Sequence, residues 1–176
     1  EARAVLEMLG ALDAQGRITA HGRALSPLPL HPRLGHMLTA CGAGAAPLAA
    51  LLAERDPLRG AGADLAHRLA AIAGAQVPGE VHRATLERIR QEAKRLARHS
   101  RSERHEPMSP AAMAARAYPD RIGVRRPGDA PRYVLSGGKG AVLSDTDSLA
   151  GTRLIVATDL DGDPREARIR QAAALS

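Results

Sequence analysis

The chain has 176 residues, a formal net charge of +6 and an isoelectric point of about 10.6, and this excess of positive charge favours a polyanionic partner such as RNA or DNA. Its hydrophobic fraction of 44% excludes wholesale disorder and is sufficient for one ordinary domain or for two or three small ones. The single cysteine, Cys41, excludes an internal disulfide and a cysteine-based zinc site, and the lack of a membrane-length apolar run or a signal peptide indicates a cytoplasmic protein.

The first hundred residues are predicted to form a bundle of helices, because apolar residues recur at spacings of three and four. Val5, Leu6 and Leu9, for example, share one helical face. Thr19 is placed to cap the second helix, and the small residues 42–44 interrupt the third. The predicted helices cover residues 4–12, 19–25, 32–41, 47–54, 64–73 and 80–102.

The pattern changes at residues 106–110, which predict a boundary. Ser109 is placed to cap a short helix that ends at Ala117. Five short strands follow, separated by turns rich in glycine and aspartate, at residues 121–126, 132–136, 141–143, 153–160 and 166–172. Strands of this length and spacing predict a small barrel or sandwich, so the fold class is α+β. Because the fifth strand ends close to residue 176, the sequence leaves open whether a barrel would be complete.

The strongest functional feature is a row of basic residues on the long helix. Residues 76–105 hold eight basic residues against four acidic ones, whereas the rest of the chain is close to balanced. At 100° per residue, five cations fall on one arc beside the apolar face: Arg83, Arg90, Lys94, Arg98 and Arg101. Such a row could bind successive phosphates of a nucleic-acid strand whatever its base sequence, because no aromatic side chain accompanies it. The alternative is a solvated helix face with pairs such as Arg83 and Glu87.

No catalytic residue can be assigned from the sequence. The chain lacks the G-x-x-x-x-G-K-[ST] phosphate loop, and residues 137–140 (Gly-Gly-Lys-Gly) predict a tight hairpin turn instead. It also lacks a D-E-A-H or D-E-A-D string, which would hold magnesium, and a G-x-S-x-G motif, which would expose a nucleophilic serine. This chain alone is therefore expected to be inactive as an enzyme.

No metal site can be assigned either. The alternating aspartates do not match the EF-hand spacing and predict an acidic hairpin turn; they are Asp159, Asp161 and Asp163. The histidines of the N-terminal part lack the i, i+4 spacing of a zinc pair on a helix, and no further ligand is evident; they are His21, His31 and His36.

Several strings of the sequence resemble DEAH-box helicases, in the segment that follows the second RecA-like domain. They are Leu9–Asp13, Ile18–Thr19, His21–Gly22 and Leu28–Leu34 with Met37–Leu38. Further strings resemble the HrpB group of that family in particular, and they are Glu54–Gly60, Ala63–Leu65, Ala117–Ile122, Arg132–Leu135 and Gly138–Leu143. The ordered set runs across nearly the whole chain, which makes the resemblance specific.

The resemblance implies a superfamily-2 helicase that uses ATP to move along RNA or single-stranded DNA. It implies three parts: a winged-helix remnant (1–36), a helicase-associated ratchet bundle (37–105) and a partial OB-like domain (106–176). The implied partners are a single-strand backbone and the RecA-like motor domains of the same polypeptide, with no membrane. ATP and Mg²⁺ are expected in those motor domains, before residue 1, and no cofactor is expected in the present chain.

Four residues carry structural expectations on this interpretation. Arg33 and Arg55 are expected to form ion pairs within the protein rather than to contact phosphates, and Asp120 with Arg121 is expected to fix the joint between helices and strands. Two alternative functions remain open. A stand-alone winged-helix regulator would need a basic recognition helix, and the second predicted helix offers only Arg23. A structural or interaction module would leave the basic row in solvent.

Overall fold

The structure, a computed structural model, describes residues 1–100, 105–163 and 165–175. Seven α-helices lie in the described part of the chain: α1 (Ala2–Met8), α2 (Ala20–Leu25), α3 (Pro32–Cys41), α4 (Ala46–Ala53), α5 (Leu65–Ile72), α6 (Arg83–His99) and α7 (Pro110–Ala117). Two short 3-10 helices, Ala43–Ala45 and Pro119–Arg121, complete the helical structure described. None of the helices in these ranges is long and apolar enough to cross a membrane.

The predicted helix caps are confirmed. The Thr19 hydroxyl accepts a hydrogen bond from the Gly22 amide at 3.0 Å, and the Ser109 hydroxyl accepts one from the Ala112 amide at 3.1 Å. The first helix is shorter than predicted, because the chain reaches a positive φ of 78° at Gly10 and turns away from the helix axis.

The main core lies between α3, α4, α6 and α7. Met37, Leu48, Ile89 and Leu96 are almost completely buried there, and alanines fill the gaps between them. Small side chains let these helices approach closely in a chain that has no phenylalanine or tryptophan. The same cluster includes Val156 and Ala173 of the β-rich part, so these two residues pack into the helical core, whereas the residues around Tyr133 form a separate core.

A two-stranded antiparallel ribbon forms from the segments on either side of α5, and the sequence did not predict it. Strand β1 (Leu58–Arg59) pairs with β2 (Glu80–Val81), so that Arg59 lies opposite Glu80. Residues 80 and 81 were predicted to be helical, and α6 instead begins at Arg83 after the N-cap His82. The amide of His82 donates to the Pro57 carbonyl at 2.8 Å, which continues the ribbon for one more bond and delays the helix.

The β-rich part is a closed five-stranded barrel. Its strands are β3 (Ile122–Arg125), β4 (Arg132–Leu135), β5 (Gly140–Val142), β6 (Leu154–Leu160) and β7 (Glu166–Ala174), in the order β3-β4-β5-β7-β6. Pairing of β3 with β6 closes the barrel, and β5 and β7 run parallel. Tyr133 fills the interior, where its hydroxyl donates to the Thr152 carbonyl at 2.6 Å. The predicted α+β fold is confirmed, and the five strands close into a barrel within the described residues.

A buried ion pair joins the helices to the barrel. Arg33, at the start of α3, donates to both carboxylate oxygens of Asp120 at 2.7 and 2.9 Å and to the Ala117 carbonyl at 3.0 Å. Burial alone would raise the pKa of Asp120, but the hydrogen bonds and charge of Arg33 outweigh burial and hold this pKa below its usual range. The Tyr118 ring lies between Arg33 and Arg121, whose guanidinium carbons are 4.9 and 5.0 Å from its centre. The structural roles predicted for these residues are confirmed.

Arg55, in contrast, is exposed and forms no side-chain ion pair with any residue that the structure describes. The expectation of a structural pair for Arg55 is therefore wrong, because its neighbour Asp56 is already bound by another arginine. Arg68 donates to the two Asp56 carboxylate oxygens at 3.2 and 2.8 Å from a side chain that is 3% exposed.

Candidate nucleic-acid interface

The long helix α6 has one buried face and two solvent-facing flanks. Ile89 and Leu96 pack into the bundle, mainly against α4, while Leu86 packs into a smaller cluster with Leu58 and Ala71. These contacts fix the rotation of the helix about its axis. The His82 imidazole caps the first turn by accepting the Thr85 amide at 3.2 Å. Because the buried face is fixed, the directions of the remaining side chains follow from the helix geometry.

One flank carries the predicted basic row. Arg83, Lys94 and Arg98 are exposed, and none of them forms an ion pair with a residue in the described ranges. Their positive charges are therefore not neutralised by described residues and face solvent. Arg101, the fifth member of the predicted row, lies outside the described residues.

Arg90 occupies a different environment from the other members of the row. Its Nε and Nη2 atoms donate to the carbonyls of Ile72 and Ala71, both at 3.0 Å, at the C-terminal end of α5. Its Nη1 atom is 3.6 Å from a carboxylate oxygen of Glu87. Arg90 thus caps the C-terminal end of α5 and holds it against α6. Its position on α6 remains in line with the row. The sequence pattern did not indicate this capping role.

The other exposed flank of α6 is electrically balanced. Arg88 lies 3.6 Å from the Glu54 carboxylate, and Arg95 forms a two-pronged ion pair with Glu92. The hydrogen bond from Arg95 lowers the pKa of Glu92, which therefore remains ionised and matches the arginine charge. Both flanks are rich in arginine, but only the flank with Arg83, Lys94 and Arg98 presents unmatched charge.

A cleft of about 630 Å³ adjoins the N-terminal end of the row. Its lining includes the apolar side chains of Val77, Val81 and Leu86 and the charged side chains of Arg83 and Glu87. The cleft lies between α6 and the loop that leads from α5 to β2. A polymer bound along the row would therefore meet an open groove rather than a wall at this end.

The sites that were rejected from the sequence are turns, as predicted. Residues 137–139 connect β4 to β5 in a tight hairpin closed by a 2.9 Å bond from the Leu135 amide to the Lys139 carbonyl. The Asp161 carboxylate accepts the Arg168 amide at 2.8 Å within the β6–β7 turn. Among the described residues, no group of three or more histidine, cysteine or acidic side chains could hold a metal ion.

Two of the three histidines considered as ligands contact each other. The Nε2 atom of His21 is 2.8 Å from the Nδ1 atom of His36, and the rings meet edge to face. Burial lowers the pKa of His36, and the nearby His21 and Arg116 lower it further. The third histidine, His31, caps α3 by accepting the Arg33 amide. The pair therefore packs α2 onto α3.

The fold of the whole chain is found in solved helicase structures, although no family model matches the sequence. The crystal structure of the Escherichia coli DExH-box NTPase HrpB matches 99% of this chain with a TM-score of 0.74 and 32% identity. A second crystal structure, of the Escherichia coli DEAH/RHA helicase HrpB, matches 99% with a TM-score of 0.76 and 28% identity. The fold thus defines a region of the DEAH-box helicase class.

The sequence comparison points to the same relative. The curated ATP-dependent RNA helicase HrpB of Escherichia coli (strain K12) is 34% identical over 161 residues, which are 89% of this chain and 18% of that protein. The chain is therefore a homologue of one segment of HrpB, as the sequence motifs predicted. It spans about a fifth of the length of the relatives that it matches.

Proposed function

We propose that the chain is a nucleic-acid-contacting accessory region of an ATP-dependent DEAH-box helicase that works in the cytoplasm. The homology to HrpB supports the helicase assignment, and the observation that carries the nucleic-acid contact is the unmatched charge of Arg83, Lys94 and Arg98 on one flank of α6. RecA-like motor domains of the same polypeptide would bind ATP and Mg²⁺. The residues of this chain would not bind ATP or Mg²⁺ themselves.

The proposed division of labour follows the three segments predicted from the sequence. Residues 1–36 form the winged-helix remnant, residues 37–105 the ratchet bundle and residues 106–176 the OB-fold. The strand order of the barrel supports the assignment of residues 106–176. Its first strand, β3, lies between β4 and β6, and its third strand, β5, lies beside the fifth, β7. The packing of Val156 and Ala173 into the helical core, together with the Arg33–Asp120 pair, would make these segments move together, so that motor closure displaces the basic row along the strand.

Binding along the row would be electrostatic and largely independent of base sequence. From Arg83 to Arg98 the helix rises over fifteen residues, which is about 22 Å, so the row can face several consecutive phosphates. Each phosphate that a cation neutralises releases condensed counterions, and this release drives association and makes it depend on salt. Burial of the opposite helix face holds the charges in line without loss of packing.

The structure offers less support for a stand-alone winged-helix regulator. Helix α2 has only six residues, and Arg23 is its one arginine or lysine, so it provides little charge for a major groove. If the chain did not bind single-stranded nucleic acid, it would instead be a structural module whose basic row faces solvent.

The experiment is a fluorescence-anisotropy titration of labelled single-stranded RNA at several salt concentrations. We expect the Lys94→Glu/Arg98→Glu variant to bind more weakly than the unmodified chain, with different base sequences affected alike. Loss of two phosphate contacts should reduce the slope of log K against log salt by roughly 1.4, at roughly 0.7 for each contact. Folding should be nearly intact, since both side chains are exposed and unpaired within the described residues.

A matched control separates a local effect from the change in net charge. The Arg23→Glu/Arg116→Glu variant makes the same change in net charge at two exposed arginines away from α6. It should retain most of the affinity and the slope. Equal loss in the two variants, or unchanged affinity and slope in a folded Lys94/Arg98 variant, would contradict the proposed interface.

A further inference from the structure

A second basic cleft lies on the other side of the β1–β2 ribbon from the row. It has a volume of about 490 Å³ and is lined by the ribbon, the first turn of α6 and the loop that follows α4. Three arginines reach it: Arg55, Arg59 and Arg88. This cluster was not predictable from the sequence, because the ribbon that brings Arg59 to α6 consists of two-residue strands.

The two acidic residues of the cleft leave much of this charge unmatched. Asp56 is already bound by the buried Arg68, so its charge is compensated from inside the protein. Glu80 lies opposite Arg59 in the ribbon, but no ion pair joins them within the described residues. Arg88 shares Glu54 at 3.6 Å, and Arg55 and Arg59 have no acidic partner in the described part of the chain.

The ribbon fixes the backbone from which Arg59 extends. Gly79, with a φ of 81°, brings the loop so close to the ribbon that a Cβ atom there would lie 2.3 Å from the Arg59 carbonyl oxygen. The Nδ1 atom of His82 accepts the Thr85 amide, which leaves the proton on Nε2 as a donor on an exposed ring. The cleft thus combines guanidinium groups with one imidazole N–H, which are groups that bind phosphate oxygens.

The cleft adjoins the cleft at the N-terminal end of the row. Val81 lines both this cleft and the 630 Å³ cleft at the N-terminal end of the row, so only one side chain of the ribbon separates them. We propose that the cleft binds a phosphodiester group of the same single strand after that strand has passed the N-terminal end of α6. This inference rests on the proposed function for the direction of the strand, and it assigns Arg55 and Arg59 as phosphate ligands.

The test compares two lengths of single-stranded RNA on the full chain. A short oligonucleotide covers only the roughly 22 Å of the row, and a longer one extends across the ribbon. In the Arg55→Gln/Arg59→Gln variant we expect the long oligonucleotide to bind roughly tenfold more weakly, with a salt slope lower by about 1.4. The short oligonucleotide should bind as it does to the unmodified chain. The Arg23→Gln/Arg116→Gln variant is the matched control, and circular dichroism verifies folding.

The outcomes distinguish this proposal from the function on which it rests. The cleft is not a strand site if the Arg55/Arg59 variant binds both oligonucleotide lengths normally, or if it loses affinity equally for both lengths. In either case the row is still supported, provided that the Lys94/Arg98 variant loses affinity. If only the Arg55/Arg59 variant loses affinity, the cleft is supported and the row is not. Inorganic phosphate at constant ionic strength provides the last arm. Displacement of the long oligonucleotide down to the affinity of the short one is the result expected for a phosphodiester site. Phosphate binding at Arg55 and Arg59 without any length-dependent loss of RNA affinity in their variant would show a site for free phosphate and overturn the proposal.

Discussion

Replacement of Arg33 by methionine should weaken the joint between the barrel and the helices. The Arg33 side chain is 8% exposed, and it makes hydrogen bonds of 2.7 and 2.9 Å to Asp120 and 3.0 Å to the Ala117 carbonyl. Methionine keeps the apolar volume of the side chain but removes all three donors. Breaking a buried pair from one side costs about 3–5 kcal/mol, because the remaining charge loses its partner. Asp120 is 31% exposed and regains some hydration, so we expect a loss of about 3 kcal/mol.

Thermal denaturation followed by circular dichroism measures this loss. For a chain of this length, a loss of 1 kcal/mol lowers Tm by about 2–4 °C, so Arg33→Met should lower Tm by roughly 6–12 °C. A double-mutant cycle with Asp120→Asn isolates the pair itself, and we expect a coupling energy of about 2 kcal/mol. Arg23 is exposed and has no ion-pair partner among the described residues, so it provides the control: Arg23→Met should change Tm by no more than about 2 °C.

Two outcomes would refute this reasoning. If Arg33→Met melts within about 2 °C of the unmodified chain, the joint does not depend on the pair. If both single variants are destabilised but their effects simply add, each residue acts through other neighbours, such as the stacked Tyr118 ring.

The remaining predictions concern pH and catalysis. The pKa of His36 is lower in the folded chain than in the unfolded chain, where it is about 6.5. The stability that neutral His36 contributes is therefore complete above pH 6.5 and is lost as the pH falls through the lower pKa of the folded chain. Urea midpoints from pH 7.5 to 5 should therefore fall more steeply for the unmodified chain than for His36→Gln, and parallel curves would exclude this role. The chain has no phosphate loop and no magnesium-binding D-E-A-H string, so we expect no nucleic-acid-stimulated ATP hydrolysis above a no-protein control. Hydrolysis that persists through repurification would contradict that expectation.

Local chemistry made much of the helical part predictable from the sequence. Thr19 and Ser109 stand directly before apolar periodic segments, and a side-chain oxygen at that position satisfies free amides of the first turn. The strands were predictable for a related reason, because turns rich in glycine and aspartate separate short runs that contain β-branched residues. Strand order was not predictable, since closure of β3 on β6 depends on contacts between distant parts of the chain.

The candidate interface was predictable in part. Helical geometry places Arg83, Lys94 and Arg98 on one flank because it needs only the spacing of the residues. The same spacing cannot show that Arg90 is bound to the carbonyls of Ile72 and Ala71, since those acceptors come from another helix. Nor can it show the cluster around Arg59, which requires β1 to pair with β2 across twenty residues of intervening chain.

The two proposed phosphate sites and the Arg33–Asp120 joint lie on different parts of the structure, and this separation has a consequence for experiment. Helix α6 is packed mainly against α4, whereas Arg33 joins α3 to the segment that leads into the barrel. Loss of the joint should therefore lower Tm without removing the charges of the row or the cleft. Below its melting transition, Arg33→Met should bind single strands nearly as tightly as the unmodified chain, while Lys94→Glu/Arg98→Glu should show the opposite behaviour, with normal Tm and weak binding. If the two variants instead lost stability and binding in parallel, the basic row would depend on the barrel for its shape, and the proposed interface would have to include both.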